Sequence, residues 1–226
     1  MNPPVMADWR NSSLFLDIPD AELKKAWSAL HALEKNYAKD AVIYSAGDTV
    51  SSLGLVLYGS VRIESMDLLG NRRILSHIRP GDVFAETYAF QGDLPLLTDA
   101  VANEDCRILF LETSRKTLSR YHGQIWHERL LMNLLAISNQ KNFHLAARSF
   151  HTSPHNIRDR VIAFLSSQAV SSHSSEFDIP FDRQQMADYL NLDRSALSKE
   201  LGRMRRDGLI DFRKNHFRIL RIPHAD

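Results

Sequence analysis

The 226-residue chain holds a single cysteine, Cys106. One thiol excludes an intramolecular disulfide. Within one chain it also excludes a cysteine-ligated iron–sulfur cluster or a cysteine-rich zinc site. Cys106 stands just before Ile108 and Leu109, where a buried inert thiol is expected rather than a redox switch. No run of about 18 apolar residues is available to span a membrane. The first residues, MNPPVMADWRNSS, contain no apolar stretch of signal-peptide length. A soluble cytoplasmic protein with no membrane partner is therefore expected. Repeats and low-complexity tracts are lacking. So is a charge excess, because 28 Lys and Arg stand against 27 Asp and Glu. Any basic surface must therefore be local. Apolar content is 44%, enough for packed cores throughout, and the length allows two domains.

The basic residues gather late. Residues 183–221 hold ten Lys and Arg against five Asp and Glu. Within that stretch, 181–210 reads as two helices joined by a tight turn. Asp182 is a good N-cap with Gln185 three residues on, as in a capping box. A first helix is expected over 183–190. Asn191 suits the left-handed turn position, and Asp193 caps a second helix. At about 100° per residue, Leu197, Leu201 and Met204 fall in one stripe. Arg194, Ser195, Ser198, Lys199, Gly202, Arg205 and Arg206 lie away from it. A cationic face with small side chains is what a helix needs to enter a major groove. Charged helix faces are common by themselves. Here the caps, the turn and a following hairpin (209–212 and 216–220) point together to a winged helix-turn-helix. The charge footprint fits nucleic acid.

The chain before it changes period twice. Leu14, Ile18, Leu23, Trp27 and Leu30 recur at helical spacing, so residues 14–37 are expected to form a helical lead. Short strands follow at 42–44, 53–57, 61–65 and 73–78, with turns at Gly47-Asp48, Gly59-Ser60, 67–71 and 80–82. Val61, Ile63 and Ser65 alternate with Arg62 and Glu64, the pattern of a half-buried strand. A short helix is expected near Glu86, and Asp99 to Leu111 closes as a strand pair. Such spacing suggests a small antiparallel barrel or jelly roll. Residues 124–148 form one long helix without Gly or Pro. Its apolar arc is wider than one small domain needs, so a homodimer is expected along it, with Leu131, Leu134, Ile137, Ser138 and Lys141 near the partner. Ser153-Pro154 marks a hinge, and residues 155–169 form a further helix. The fold class is α+β: an N-terminal β-roll, a long dimerisation helix and a C-terminal winged helix-turn-helix. The expected divisions are 14–122, 123–150 and 151–226.

This order, with the glycine turns, the segment Val83-Phe84-Ala85-Glu86 and residues 182–210, resembles the Crp/Fnr family of bacterial transcription regulators. The resemblance covers roughly residues 14–222. It implies a homodimer on a palindromic double-stranded DNA operator, RNA polymerase as a further partner, and a signal received in a cyclic-nucleotide-binding-like β-roll. It implies no catalysis. Candidate DNA-contacting residues are Arg183, Arg194, Ser195, Ser198, Lys199, Arg205 and Arg206. Arg194, Ser195 and Lys199 fall where the family carries a base-contacting Arg-Glu and Arg. Serine can donate or accept and so discriminates poorly, which makes a different half-site expected.

The resemblance also draws an effector pocket from Glu86, Thr87, Leu96, Leu97, Thr98, Asn142 and Leu145, with Leu94 beside them. Members that bind cyclic AMP hold the ribose with a Glu, the phosphate with an Arg-Ser pair and the adenine with a Thr-Ser pair. Here Glu86 remains, but Leu96-Leu97 and Leu145-Ala146 stand at the other two places. A phosphate buried without a cation is an uncompensated charge, so cyclic AMP is not expected and the effector is unknown. An iron–sulfur cluster is not expected either. A haem-dependent gas sensor of the same fold is the alternative, with His77, His122, His127 and His144 in the sensor half. A cupin-like metalloenzyme would need clustered His and carboxylate ligands. Residues 41–111 offer only His77, so no metal residues are assigned.

Overall fold

Backbone pairing, more than side-chain pattern, builds the N-terminal half. The structure, a computed structural model, describes residue 9, residues 12–66 and residues 72–221. The turn expected at 67–71 lies outside the described residues. Contacts divide the chain into two units, Met1–Asn139 and Gln140–Asp226.

In the first unit a short 3-10 turn (Ser13–Phe15) leads to helix α1 (Asp20–Ala29) and strand β1 (Leu33–Tyr37). The expected helical lead therefore stops early. Residues 33–37 lack any alternation of apolar and polar side chains, and they are extended because they pair with β8 (Cys106–Glu112), from Leu33 opposite Phe110 to Tyr37 opposite Cys106. Tertiary pairing overrides local preference here. The remaining strands are β2 (Val42–Tyr44), β3 (Ser52–Tyr58), β4 (Val61–Met66), β5 (Arg72–Ile78), β6 (Val83–Phe84) and β7 (Asp99–Ala102). Helix α2 (Glu86–Gln91) follows β6, and α3 (Arg115–Leu118) follows β8.

These strands form two antiparallel sheets, ordered β1-β8-β3-β6 and β2-β7-β4-β5. Ile43, Val56, Val61, Phe84, Ala100, Ile108 and Phe110 fill the space between them. The close fit requires Gly54, since a Cβ there would sit 2.2 Å from the Phe84 ring. The other face of the first sheet carries Leu53, Leu55, Leu57, Leu109 and Leu111. Trp27 and Leu30 close over it, with Trp126 and Leu130 from helix α4 (Ile125–Thr152).

The alternation along β4 needs correction. Arg62 and Glu64 are 9% and 5% exposed, as buried as the core beneath them. Arg62 Nε donates to Glu64 at 2.8 Å. Its Nη1 reaches both Asp40 at 2.8 Å and the Ala102 carbonyl at 3.2 Å. Glu64, first, and Asp40 together hold the guanidinium firmly protonated. The expected solvent face of the strand is thus an ion-paired layer of its own.

The second unit contains the end of α4, then α5 (Ile157–Ser172), β9 (Glu176–Asp178), α6 (Arg183–Tyr189), α7 (Arg194–Arg206), β10 (Ile210–Arg213) and β11 (His216–Ile219). Its sheet is ordered β10-β11-β9. Val161, Phe164, Leu165, Met186, Leu197, Leu201, Met204 and Phe217 are among its core residues. The expected long helix runs on from residue 148 to Thr152, and the following one from 169 to Ser172.

Candidate nucleic-acid interface

Local chemistry sets the two helices of the turn. Asp182 accepts the Gln185 backbone N–H at 2.8 Å, and the Gln185 side chain accepts the Asp182 N–H at 2.9 Å, a complete capping box. Asn191 takes φ of 53° between the helices. Asp193 caps α7 by accepting the Ala196 N–H at 2.9 Å. Gly208, at φ of 68°, lets the chain turn into β10.

Three arginines, none of them a candidate from the sequence, hold the helix-turn-helix from behind. Arg148, on the last turns of α4, donates to the carbonyls of Asp188 and Tyr189 at 2.9 and 3.0 Å. Arg160, on α5, donates to those of Leu190 and Asn191, each at 3.3 Å. The C-terminal carbonyls of α6 thus meet cations, which the helix dipole favours. Arg158, also on α5, bonds Glu200 at 2.6 Å and Asp207 at 2.7 Å, tying the buried side of α7 to α5. Glu200 is the one carboxylate on the buried side of α7, and that position was the available sequence signal. His151, buried, meets the Tyr189 hydroxyl at 2.9 Å, and burial holds its imidazole below the ordinary histidine range.

The outward arc of α7 carries Ser195, Lys199, Gly202 and Arg206 at its centre, with Arg194, Ser198 and Arg205 along one flank. All but Gly202 are exposed. Arg194, Lys199 and Arg206 make no ion pair or hydrogen bond among the described residues, so their donors face outward. Arg205 is engaged with Asp211 at 2.7 Å and lies over the Phe212 ring. Arg183 differs from the rest. Its guanidinium is half-buried over the rings of Phe212 and Phe217 and donates to the Lys214 carbonyl at 3.2 Å. Burial lowers its pKa. It holds the β10–β11 hairpin against α6.

The residues drawn as an effector pocket do not form an apolar wall in the first unit. Leu96 is buried, its backbone bonded in both directions to Gly47 and Asp48. Its neighbour Leu97 is 77% exposed and Leu94 is exposed too. Thr87 is exposed, while Glu86 and Thr98 are half-buried. The cation that a cyclic phosphate requires is not supplied by Leu96 or Leu97, and Arg62 is already committed to Glu64 and Asp40. These residues do not fit a cyclic nucleotide. Asn142 and Leu145, on α4, are exposed. Of the histidines considered for haem, His77, His122 and His144 are exposed, and His127 is buried with its ring edge-on to Trp126 and His122.

A double-sheet roll followed by a winged helix-turn-helix with an outward cationic face defines a regulator with a sensor-type domain and a DNA-binding domain. Comparison with known proteins agrees. Residues 34–116 match the cyclic nucleotide-binding domain, and residues 159–224 match the Crp-like helix-turn-helix domain. The chain belongs to the Crp/Fnr family of transcription regulators. Solved structures sharing the fold include OCPA-complexed CprK, with 16% identity, 89% of this chain and 90% of that one covered, and a TM-score of 0.62. Another is the c-di-GMP responsive global regulator CLP of Xanthomonas campestris, at 15% identity, 90% and 100% coverage and a TM-score of 0.56. A CooA mutant from Carboxydothermus hydrogenoformans follows at 16% identity, 93% and 95% coverage and a TM-score of 0.56. No curated protein matches the chain by sequence. No helix among the described residues is long and apolar enough to cross a membrane.

Proposed function

We propose that the chain works as a homodimer that places two α7 helices in successive major grooves of a palindromic operator. Residues 151–226 bind DNA, 123–150 join the copies and 14–122 receive a signal other than a cyclic phosphate. The observation that carries this reading is the outward arc of α7, where Arg194, Lys199 and Arg206 present unengaged donors around small side chains. Selection of bound sequences from random DNA tests it. A palindrome with half-sites about one helical turn apart is expected; recovery of no consensus would contradict it.

The joining surface proposed extends beyond the one expected. Leu131, Leu134 and Ile137 are partly buried against the roll's own core. Met132, Ala136, Asn139, Phe143, Ala146 and Phe150 follow one another at alternating steps of four and three, the spacing of a coiled-coil seam. All are exposed, Met132, Phe143 and Phe150 by 63%, 72% and 65%. An apolar seam of this size in water favours a second copy of the same helix. Light scattering of DNA-free protein should give a dimer mass, and Phe143→Glu should give a monomer.

A further inference from the structure

Resting on the reading that α7 enters a major groove, we propose that Ser195 reads DNA as an acceptor only and so selects a base bearing an exocyclic amine, cytosine or adenine. Asp193 Oδ1 accepts the Ala196 backbone N–H, and the same oxygen accepts the Ser195 hydroxyl. The Ser195 hydroxyl, first, and the Ala196 N–H hold the Asp193 carboxyl below the ordinary aspartate range, so it is ionised at neutral pH. A carboxylate has no proton to give, so the hydrogen in this bond is serine's. A serine hydroxyl has one hydrogen and two lone pairs. Its hydrogen is held in a charge-assisted bond, which is stronger than a neutral one. Turning it toward a base would break that bond.

What Ser195 offers outward is therefore lone pairs. The side chain is exposed at the centre of the outward arc, beside Lys199 and Arg206, whose side chains only donate. In the major groove cytosine presents its N4 amine and adenine its N6 amine. Guanine presents only acceptors, and thymine an acceptor and a methyl group. The flanking cations suit guanine, and Ser195 suits the two bases that they do not. Serine's ordinary ambiguity, which the sequence alone leaves open, is removed by its neighbour two residues back. The cap that starts the recognition helix also sets the polarity of one of its readers.

The test begins with the consensus that wild-type protein selects. Affinities are then measured for that duplex and for duplexes with one exocyclic amine deleted, 2-pyrimidinone replacing cytosine or purine replacing adenine. Both wild type and Ser195→Ala are assayed, with thermal melting to show that the variant folds. At one position per half-site, amine deletion should weaken wild type about fivefold, the worth of one neutral hydrogen bond, and leave Ser195→Ala unchanged. Ser195→Thr, which keeps the hydroxyl, should keep the discrimination. The inference is overturned if no amine deletion is silenced by Ser195→Ala, or if the position that this variant relaxes is guanine or thymine on the read strand. If wild type selects no consensus, the groove reading fails as well, a result distinct from loss of the Ser195 effect alone.

Discussion

The two units use paired charge in different ways. In the roll, Arg62 and Glu64 are buried against each other, with exposed Asp40 and Arg72 closing the group from outside. In the winged helix unit, Arg148, Arg158 and Arg160 are spent on carbonyls and carboxylates behind α7, and this leaves Arg194, Lys199 and Arg206 free in front. Both units keep the family's fold. On the proposed reading, the first lacks a cation at Leu96-Leu97 and the second keeps a face for DNA.

The largest effect should come from breaking the roll's pair. Arg62→Ala takes the close partner from buried Glu64, leaving it Arg72 at 3.6 Å, and should destabilise the roll by about 3 kcal/mol. Replacing both by apolar residues should cost much less. Calorimetry of the full chain reads this, and the transition of the winged helix unit should not move. On the reading side, Arg194→Ala should cost about 1–3 kcal/mol in DNA affinity and relax one base position. Arg206→Ala should weaken all sequences alike and lower the salt slope by about one contact. If Arg194→Ala keeps the wild-type consensus, Arg194 is a phosphate contact only.

Smaller effects sharpen the contrast. Ala85 sits at φ of 59°, a left-handed conformation that costs a residue with a Cβ about 1–2 kcal/mol. Ala85→Gly should recover about 1 kcal/mol in thermal unfolding without changing DNA binding. In α7 the reverse exchange applies. A Cβ at Gly202 would meet nothing closer than Arg206 Nη1 at 3.8 Å. Gly202→Ala should therefore stabilise the protein by about 0.5–1 kcal/mol, while lowering DNA affinity. If affinity rises with stability, Gly202 does not face the groove.

The smallest effect is in pH. Glu176, first, and Asp178 raise the pKa of His216 in the wing. A raised folded value means the contribution is full below the ordinary histidine value and is lost as pH rises through the raised one. Burial lowers that of His151, so its environment opposes folding once pH falls below the ordinary value. His216→Gln should remove support on the acid side only, as read by urea midpoints from about pH 5 to 8.

Legibility in the sequence divides along the same line. Asp182, Gln185, Asn191, Asp193 and Gly208 act within four residues of themselves, so the helix-turn-helix could be read directly. Strand β1 could not, because Leu33–Tyr37 is extended only through β8. The burial of Arg62 and Glu64 depends on Asp40 and the Ala102 carbonyl, distant in sequence. On α4 the wide apolar arc was visible, but which part of it the roll claims is a tertiary fact. The lock on Ser195 was two residues away, yet it needed a hydrogen-bond direction that residue types do not carry.

The central claim, that the roll keeps the fold of a cyclic-nucleotide-binding domain without a place for the phosphate, is tested most directly on the operator. Fluorescence anisotropy of a labelled operator is titrated with full-length protein, with and without saturating cyclic AMP. The account predicts superimposable curves. A tenfold or greater gain in affinity with cyclic AMP would contradict it, because a cation that the described residues do not place would then have to reach the phosphate.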